Sequence, residues 1–216
     1  MSLHVRDLGR MAYRQAWELQ KQLVEQRHAG GAPDTILVVE HEPVVTIGRG
    51  TEDDTLRDDG IDVVEVERGG QATWHGPGQI VVYPIVKLAD DRHDLHGWMR
   101  ALEQAVIDTM AEVGLASGRR DGATGVWIDG ERKLCSIGVA ARRWVTYHGL
   151  ALNHEPDLAH FAAINPCGFD AAVMTSMRAE LTERCPARDE VVATLVRKLQ
   201  EQLPSFCESP ASATAR

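Results

Sequence analysis

The stretch RGGQATWHGPGQIVVYPI occupies residues 68–85 and joins four glycines to a strongly β-forming run. Glycine has no Cβ, so a glycine-rich segment can adopt positive φ angles and bring its backbone close to a ligand. A loop that only reverses the chain needs one or two such residues. The stretch therefore predicts a ligand-lining loop that leads into a strand, with an elaborate β-turn as the alternative.

The glycines do not form a phosphate-binding motif. A P-loop ends in Gly-Lys-Ser/Thr, and no such lysine is present in this stretch. The dinucleotide pattern GxGxxG also fails, because Gly76-Pro77-Gly78 is followed by Gln79-Ile80-Val81. A strand is predicted after the loop, so no helix N-terminus is expected there to hold a phosphate.

Helices and strands alternate on either side of this loop without a regular βαβ rhythm. Amphipathic spacing predicts helices near residues 11–27, 95–113 and 189–203. Strands are predicted at TILVVEH, PVVTIG, DVVEVER, IVVYPIV, GVWID, KLCSIGVA and WVTYHGLALN, with a hairpin turn at Asp129-Gly130. Pro84 predicts an edge position or a bulge for its strand. The sequence predicts one α+β domain over residues 1–203, with a mixed or antiparallel sheet and flanking helices, and a disordered tail over 204–216.

Length and charge narrow the function classes. The chain has 216 residues, of which 44% are hydrophobic, and a formal net charge of −9. This charge argues against nucleic acid as a partner, although Arg119-Arg120 and Arg142-Arg143 form local basic pairs. No run approaches the roughly 18 apolar residues of a membrane span, and the start MSLHVRDLGR lacks the apolar segment of a secretory signal. A cytoplasmic protein without a membrane partner is expected.

No CxxC spacing joins the four cysteines, which are Cys135, Cys167, Cys185 and Cys207. Reduced thiols are therefore expected rather than a disulfide framework. Cys167 stands between Pro166 and Gly168, a rigid and unobstructed setting that suits a nucleophile. A small buried hydrophobe is the alternative for any lone cysteine.

A nucleophilic thiol needs a cation or base beside it at neutral pH. Lys133 begins an apolar strand and can carry its amine into a partly apolar site, with an exposed strand-end lysine as the alternative. His75, His148 and His154 are further candidates for this partner.

The tightest histidine spacing is that of His93 and His96. This pair has no third ligand in register, so no metal site is predicted.

Four blocks in order carry a resemblance to a known family: RGGQATWHGPGQIVVYPI, GVWIDGERKLCSIGV, RRWVTYHGLALN and NPCGF. Over roughly residues 36–180 the chain closely resembles the lipoyl(octanoyl) transferases, also called lipoate-protein ligase B. The resemblance implies the α+β catalytic domain shared with biotin and lipoate protein ligases, and an enzyme without a cofactor. Trp74 stands where a tyrosine is usual, and Phe169 where isoleucine or tyrosine is usual.

The family transfers an octanoyl group from octanoyl-acyl carrier protein to a lysine of lipoyl domains. These belong to E2 subunits of 2-oxoacid dehydrogenases and to the glycine-cleavage H protein. By resemblance, Cys167 is the acyl-accepting nucleophile and Lys133 its activating partner, and Cys135 places a second thiol nearby. The family's substrate-binding segments correspond to Arg68, Gly69, Gly70, Gln71, Ala72, Thr73, Trp74, His75, Ser136, Ile137, Gly138, Gly149, Leu150 and Ala151. Trp74 and Ile137 are expected to line an apolar slot for the acyl chain.

Three other functions stay open on the same residues. The first is an ATP-dependent ligase for free octanoate or lipoate, which the missing phosphate loop disfavours. The second is a non-catalytic partner that only binds lipoyl domains, and the third is a thioester hydrolase. Arg142 and Arg143 are expected to contribute to docking of the carrier protein.

Overall fold

The computed structural model describes residues 3–51, 60–163 and 173–208. Its strands are β1 (His4–Met11), β2 (Thr35–His41), β3 (Val44–Ile47), β4 (Asp62–Glu65), β5 (Thr73–His75), β6 (Gln79–Ile85), β7 (Gly118–Arg120), β8 (Ala123–Ile128), β9 (Arg132–Arg142) and β10 (Val145–Asn153). Its α-helices are α1 (Tyr13–His28), α2 (Leu95–Glu112), α3 (Met177–Leu181) and α4 (Arg188–Gln202). Short 3₁₀ turns lie at Asp90–Arg92, Leu158–Ala163, Thr182–Arg184 and Leu203–Phe206.

The described strands form two sheets. The larger sheet has seven strands in the order β1-β2-β6-β10-β9-β8-β7, and the smaller has three in the order β4-β3-β5. Only the pairs β1–β2 and β3–β4 among these are parallel. The architecture is the mixed sheet with flanking helices that the sequence predicts.

The central strands of the larger sheet are apolar on both faces. In β2, Ile36 and Val38 pack on one face against α2 and α4, and Leu37 and Val39 pack on the other against α1. Because successive side chains of a strand point to opposite faces, a strand covered on both sides is a continuous apolar run. This explains why TILVV shows no polar alternation, and it places the sheet between α1 and the α2–α4 pair.

Helix α2 begins after a side-chain cap. The Asp94 carboxylate accepts hydrogen bonds from the backbone N–H groups of His96 and Gly97, both at 3.0 Å. These two donors have no partner inside the helix, so the cap stabilises the helix start by about 1 kcal/mol. None of the helices within the described ranges has the length and apolar character needed to cross a membrane.

Pro84 does not lie on an edge strand. It belongs to β6, the third strand of the larger sheet, and faces Ile36 of β2. The ladder between β6 and β10 ends at Val82 and Leu150, two residues before Pro84. The missing amide therefore removes no ladder bond on that side, and the Pro84 carbonyl accepts a hydrogen bond from Thr146 Oγ1 at 2.8 Å. The predicted edge position is wrong, and the alternative of a bulge is not found either, since β6 pairs with β2 and with β10 without a register shift.

The chain beyond residue 203 continues to pack against the domain. Ala89 N–H donates to the Phe206 carbonyl and Glu208 N–H donates to the Lys87 carbonyl, each at 2.9 Å. Cys207 is buried beside Leu88. The predicted disordered tail therefore does not begin at residue 204, and its residues 209–216 lie outside the described part of the chain.

Candidate functional site

Both sheets contribute to the walls of one cavity of about 490 Å³, its open mouth included. The lining residues are Tyr13, Arg68, Gly70, Gln71, Thr73, His75, Tyr83, Lys133, Ser136, Ile137, Gly138, His148, Gly149, Leu150 and Ala151. The glycine-rich loop, β9 and β10, which carry the three predicted substrate-binding segments, thus meet at a single site. The sequence predicts neither Tyr13 nor Tyr83 as a site residue, and it offers His148 only as a possible partner for the thiol.

Trp74 lies outside this cavity, contrary to the expectation that it lines an acyl slot. It is 1% exposed and packs edge-on against Phe161, with its ring stacked on His160 at 4.9 Å. Because strand residues alternate between faces, β5 directs Thr73 and His75 to the cavity and Trp74 to the opposite side.

Two further predicted residues, Gly69 and Ala72, are not part of the lining either. Gly69 N–H donates to the Val139 carbonyl at 3.0 Å, which ties the loop to β9. Ala72 is fully buried in the cluster that contains Trp74. Both residues therefore support the loop without lining the cavity.

Arg68 fixes the loop to the smaller sheet. Its Nη2 donates to the carbonyl oxygen and Oγ1 of Thr46 at 2.9 and 2.8 Å, and its Nη1 donates to the Gln71 carbonyl at 2.7 Å. Gly70 has a φ of +80°, a conformation that a side chain would strain. A buried guanidinium and a left-handed glycine therefore set the shape of this wall.

Lys133 is buried rather than exposed at its strand end. It is 5% exposed and lines the cavity, with Nζ 5.3 Å from the centre of the Trp127 ring. A lysine ammonium at this distance over an aromatic face gains cation–π stabilisation. The alternative of a solvated strand-end lysine is thereby excluded.

Cys167 and Phe169 lie outside the described residues. The described chain resumes at residue 173, where Met174 forms a bridge with Lys133 and Thr175 N–H donates to the Lys133 carbonyl at 3.0 Å. Met174 and Thr175, seven and eight positions after Cys167 in the sequence, are therefore anchored to the backbone of Lys133, the predicted partner of the Cys167 thiol.

The three cysteines in the described part of the chain are poor nucleophiles. Burial raises the pKa of Cys135 to about 12 and that of Cys207 to about 12, and it also raises the pKa of Cys185. Cys135 is fully buried in the core and does not line the cavity. A thiolate is required for acyl transfer, so Cys167 stays the candidate nucleophile.

A neutral histidine–tyrosine cluster lies at one side of the cavity: His75 and Tyr83 line it, and His41 packs behind them. His41 Nδ1 lies 3.0 Å from the Met11 carbonyl and Nε2 lies 2.8 Å from the Tyr83 hydroxyl. A carbonyl can only accept, so Nδ1 donates the proton and Nε2 accepts one from Tyr83. Burial lowers the pKa of His41 to about 4 and holds the pKa of His75 well below its usual value. Both rings are therefore uncharged at neutral pH.

The other predicted histidines lie away from the cavity. His154 Nε2 donates to the Pro186 carbonyl at 2.8 Å. His93 stacks on Trp144 with ring centres 3.9 Å apart. In the residues that the structure describes, no cluster of three or more potential metal ligands is found.

The chain is similar to known proteins over nearly its whole length. Residues 12–200 match the family described as the lipoyl protein ligase A/B catalytic domain. The chain is 47% identical to the octanoyltransferase of Geobacter metallireducens, over 93% of this chain and 95% of the relative. It is 49% identical to the octanoyltransferase of Mycobacterium tuberculosis, over 90% of this chain and 84% of the relative.

Solved structures share the fold. The putative lipoate protein ligase Ta0514 of T. acidophilum, with bound lipoic acid, superimposes with a TM-score of 0.73 at 18% identity, over 97% of this chain and 89% of its own. The biotin protein ligase of Aquifex aeolicus, in complex with biotin and ATP, gives a TM-score of 0.59 at 13% identity, over 94% and 71%. The predicted fold class is confirmed. The family match and these relatives together show that the chain belongs to the lipoyl protein ligase A/B catalytic-domain family.

Proposed function

We propose that this protein is an octanoyltransferase that moves an octanoyl group from octanoyl-acyl carrier protein to a lysine of a lipoyl domain, through a thioester on Cys167. One observation carries the proposal: the amine of Lys133 is buried in a cavity walled by the glycine-rich loop on one side and by β9 and β10 on the other. The octanoyltransferase relatives, up to 49% identical, support the same activity.

The reaction has two balanced halves. The Cys167 thiolate attacks the carbonyl carbon of the donor, a new C–S bond forms, and the carrier sulfur leaves with the proton that Lys133 held. The amine of the target lysine then attacks the acyl-enzyme, a C–N bond forms, and the Cys167 thiolate is released. The first half exchanges one thioester for another, and the second forms a more stable amide, so ATP is not needed.

The apolar part of the cavity suits the acyl chain. Ile137, Leu150 and Ala151 line it from the larger sheet. Burial of one methylene contributes about 0.8 kcal/mol. A donor shortened by two carbons should therefore bind more weakly by about 1.6 kcal/mol, roughly fifteenfold in its KM.

The acceptor lipoyl domains belong, in this proposal, to dehydrogenase E2 subunits and the glycine-cleavage H protein, and the reaction takes place in the cytoplasm. Docking of the donor is assigned to Arg142 and Arg143, which are exposed at the β9–β10 turn. Their Nη1 atoms lie 3.1 and 3.6 Å from the carboxylate oxygens of Glu25. Charge reversal at both arginines should raise the KM for the carrier protein. An unchanged KM at low salt would remove this docking assignment.

Intact-mass spectrometry after incubation with octanoyl-acyl carrier protein tests the covalent step. The wild type should gain one octanoyl group that hydroxylamine removes, and Cys167→Ala should gain none. Cys185→Ala is the matched control, because this half-buried thiol lies outside the cavity and should leave the adduct intact. Transfer by Cys167→Ala at the wild-type rate would disprove the mechanism.

The same assay separates the alternative functions. Product from free octanoate plus ATP would indicate a ligase, and free octanoate in excess of amide would indicate a hydrolase. Binding of lipoyl domains with neither adduct nor product would indicate a non-catalytic partner.

A further inference from the structure

His148 differs from the other imidazoles beside the cavity. It is 2% exposed and lines the cavity, yet neither ring nitrogen has a partner at hydrogen-bond distance in the described part of the chain: Nε2 lies 3.7 Å from the Glu67 carboxylate, and Nδ1 has no polar partner. His75, in contrast, contacts Gln79 Oε1 at 3.2 Å, and His41 uses both nitrogens. Buried polar atoms are nearly always hydrogen-bonded, so the ring of His148 is arranged for a group that enters the cavity.

The backbone of His148 is held in an unusual conformation. Its φ is +56° within β10, a region that non-glycine residues rarely occupy. The His148 N–H donates to Gln20 Oε1 of α1 at 2.8 Å, and Gln20 is fully buried. Such strain persists only where the surroundings enforce it, and it concentrates at functional sites.

Glu67 connects this ring to solvent. Its Oε2 lies 3.7 Å from His148 Nε2 and accepts a hydrogen bond from Trp17 Nε1 at 3.2 Å, while 38% of its side chain is exposed. The neighbouring His148 lowers the pKa of Glu67 to about 2, so the carboxylate is ionised at neutral pH. A carboxylate beside Nε2 favours the tautomer with its proton there, which leaves the lone pair on Nδ1.

The proposed octanoyl transfer, on which this inference rests, releases one proton that Lys133 cannot hold. After the first half-reaction Lys133 is neutral, because its proton has left with the carrier thiol. The target lysine arrives as an ammonium and must lose two protons to become an amide nitrogen. Lys133 takes one and regains its starting charge, so the second proton needs another acceptor.

We propose that His148 accepts this second proton during attack of the target amine and passes it to solvent beside Glu67. The amine N–H bond breaks, an Nδ1–H bond forms, and the imidazolium then loses a proton to water. Exchange of the remaining ring proton with water returns it to Nε2, beside the Glu67 carboxylate, and frees the Nδ1 lone pair for the next turnover. Among the described residues, the charged and titratable groups around the ring are Glu67, Arg68, His75, Tyr83 and Tyr147. Burial and Arg68 lower the pKa of His148, so the ring is neutral and ready to accept a proton between turnovers.

Separate measurement of acyl-enzyme formation and of transfer to a lipoyl domain tests this role. His148→Asn is the informative variant, because asparagine tolerates the positive φ but cannot act as a base. Acylation of Cys167 should stay within threefold of the wild type, while transfer slows by about a hundredfold. The octanoyl adduct should then accumulate, and raising the pH should restore transfer as the target amine loses its proton in solution.

Glu67→Gln keeps an acceptor for Trp17 and removes the charge, so it should slow transfer about tenfold and lower the apparent pKa of the transfer step. His96→Asn, an exposed histidine on α2, is the matched control and should behave as the wild type. Equal slowing of both half-reactions by His148→Asn, or transfer at the wild-type rate with an unchanged pH profile, would overturn the role of His148. A wild type that forms no adduct would overturn the proposed function instead.

Discussion

Gly125 of β8 lies against the side chain of Lys133, so that a Cβ built at position 125 would stand 2.9 Å from Lys133 Cε and would also collide with the Cys135 carbonyl oxygen. The glycine has a φ of +128° and leaves the space through which the lysine stem reaches the cavity. The position of the amine therefore depends on the absence of one methyl group on the neighbouring strand.

Gly125→Ala should displace Lys133 and distort β8. We expect the free energy of unfolding to fall by about 2–3 kcal/mol. We also expect kcat to fall at least tenfold, because a small displacement of the proposed catalytic amine has a large effect on rate. Gly122→Ala is the control, since Gly122 has a φ of +74° but a Cβ added there would meet no atom within 4 Å. Its cost should be about 1 kcal/mol with kcat retained. Equal kcat losses in both variants would contradict the steric explanation.

Glu103 of α2 supports β8, the strand that carries Gly125. Its carboxylate is 1% exposed and accepts hydrogen bonds from Arg100 Nη1 at 2.8 Å, Arg119 Nε at 2.9 Å and Gly125 N at 3.0 Å. Glu103→Gln should lower the free energy of unfolding by about 1–2 kcal/mol in urea, a modest figure because Arg100 is largely solvated. Asp108→Asn on the same helix should cost less than about 1 kcal/mol. A larger loss of unfolding free energy in Asp108→Asn than in Glu103→Gln would argue against a supporting role for Glu103.

Trp74 should matter for stability and not for the acyl chain. Trp74→Phe should lower the free energy of unfolding by about 1–2 kcal/mol, while the KM for the octanoyl donor stays unchanged. The indole nitrogen has no hydrogen-bond partner in the described residues, so phenylalanine leaves no acceptor unpaired there. Ile137→Ala, inside the cavity, should raise the KM for octanoyl relative to hexanoyl donors. A raised KM for Trp74→Phe would mean that the ring reaches the substrate.

Stability should fall as the pH falls from about 6.5 to about 4, in part because of His41. Burial lowers the pKa of His41 from 6.5 to about 4, so the unfolded chain binds a proton in this window that the folded chain does not. Above pH 6.5 the ring is neutral in both states and does not reduce the free energy of unfolding. Between pH 6.5 and pH 4 its protonation in the unfolded chain lowers this free energy progressively, by at most about 3 kcal/mol. Urea unfolding at several pH values should show a shallower slope for His41→Gln. An identical slope in the variant would refute the assignment.

The pattern of the sequence predicted the sheet strands that are apolar on both faces, such as β2 and β6, because a long apolar run has few other interpretations. It did not predict β1, HVRDLGRM, which lies at the sheet edge and is mostly exposed or half-buried. An edge strand with one solvated side carries neither an apolar run nor a strict alternation, so pairing with β2 decides its structure. That pairing is a tertiary effect.

In the candidate site, too, local sequence predicts some features and tertiary packing decides the others. Local motifs located the loop, Lys133 and β10, but Tyr13 joins the cavity from α1, far away in the sequence. Period-two alternation, applied to Thr73, Trp74 and His75, would have placed Trp74 on the side away from the cavity. The prediction of an edge position for Pro84 fails for a similar reason. A central strand tolerates the proline because the β6–β10 ladder stops before it, and where that ladder stops depends on β10 as well as on β6.

The cavity walls belong to two separately hydrogen-bonded sheets, joined across the loop by contacts such as Gly69 N–H to the Val139 carbonyl. The distance between the walls therefore depends on the orientation of the smaller sheet relative to the larger one. Substitutions in β3 or β4, whose residues do not line the cavity, should therefore alter the width of the slot through the Arg68–Thr46 hydrogen bonds. Acyl chain length can thus be retuned during evolution from positions far from the reacting atoms.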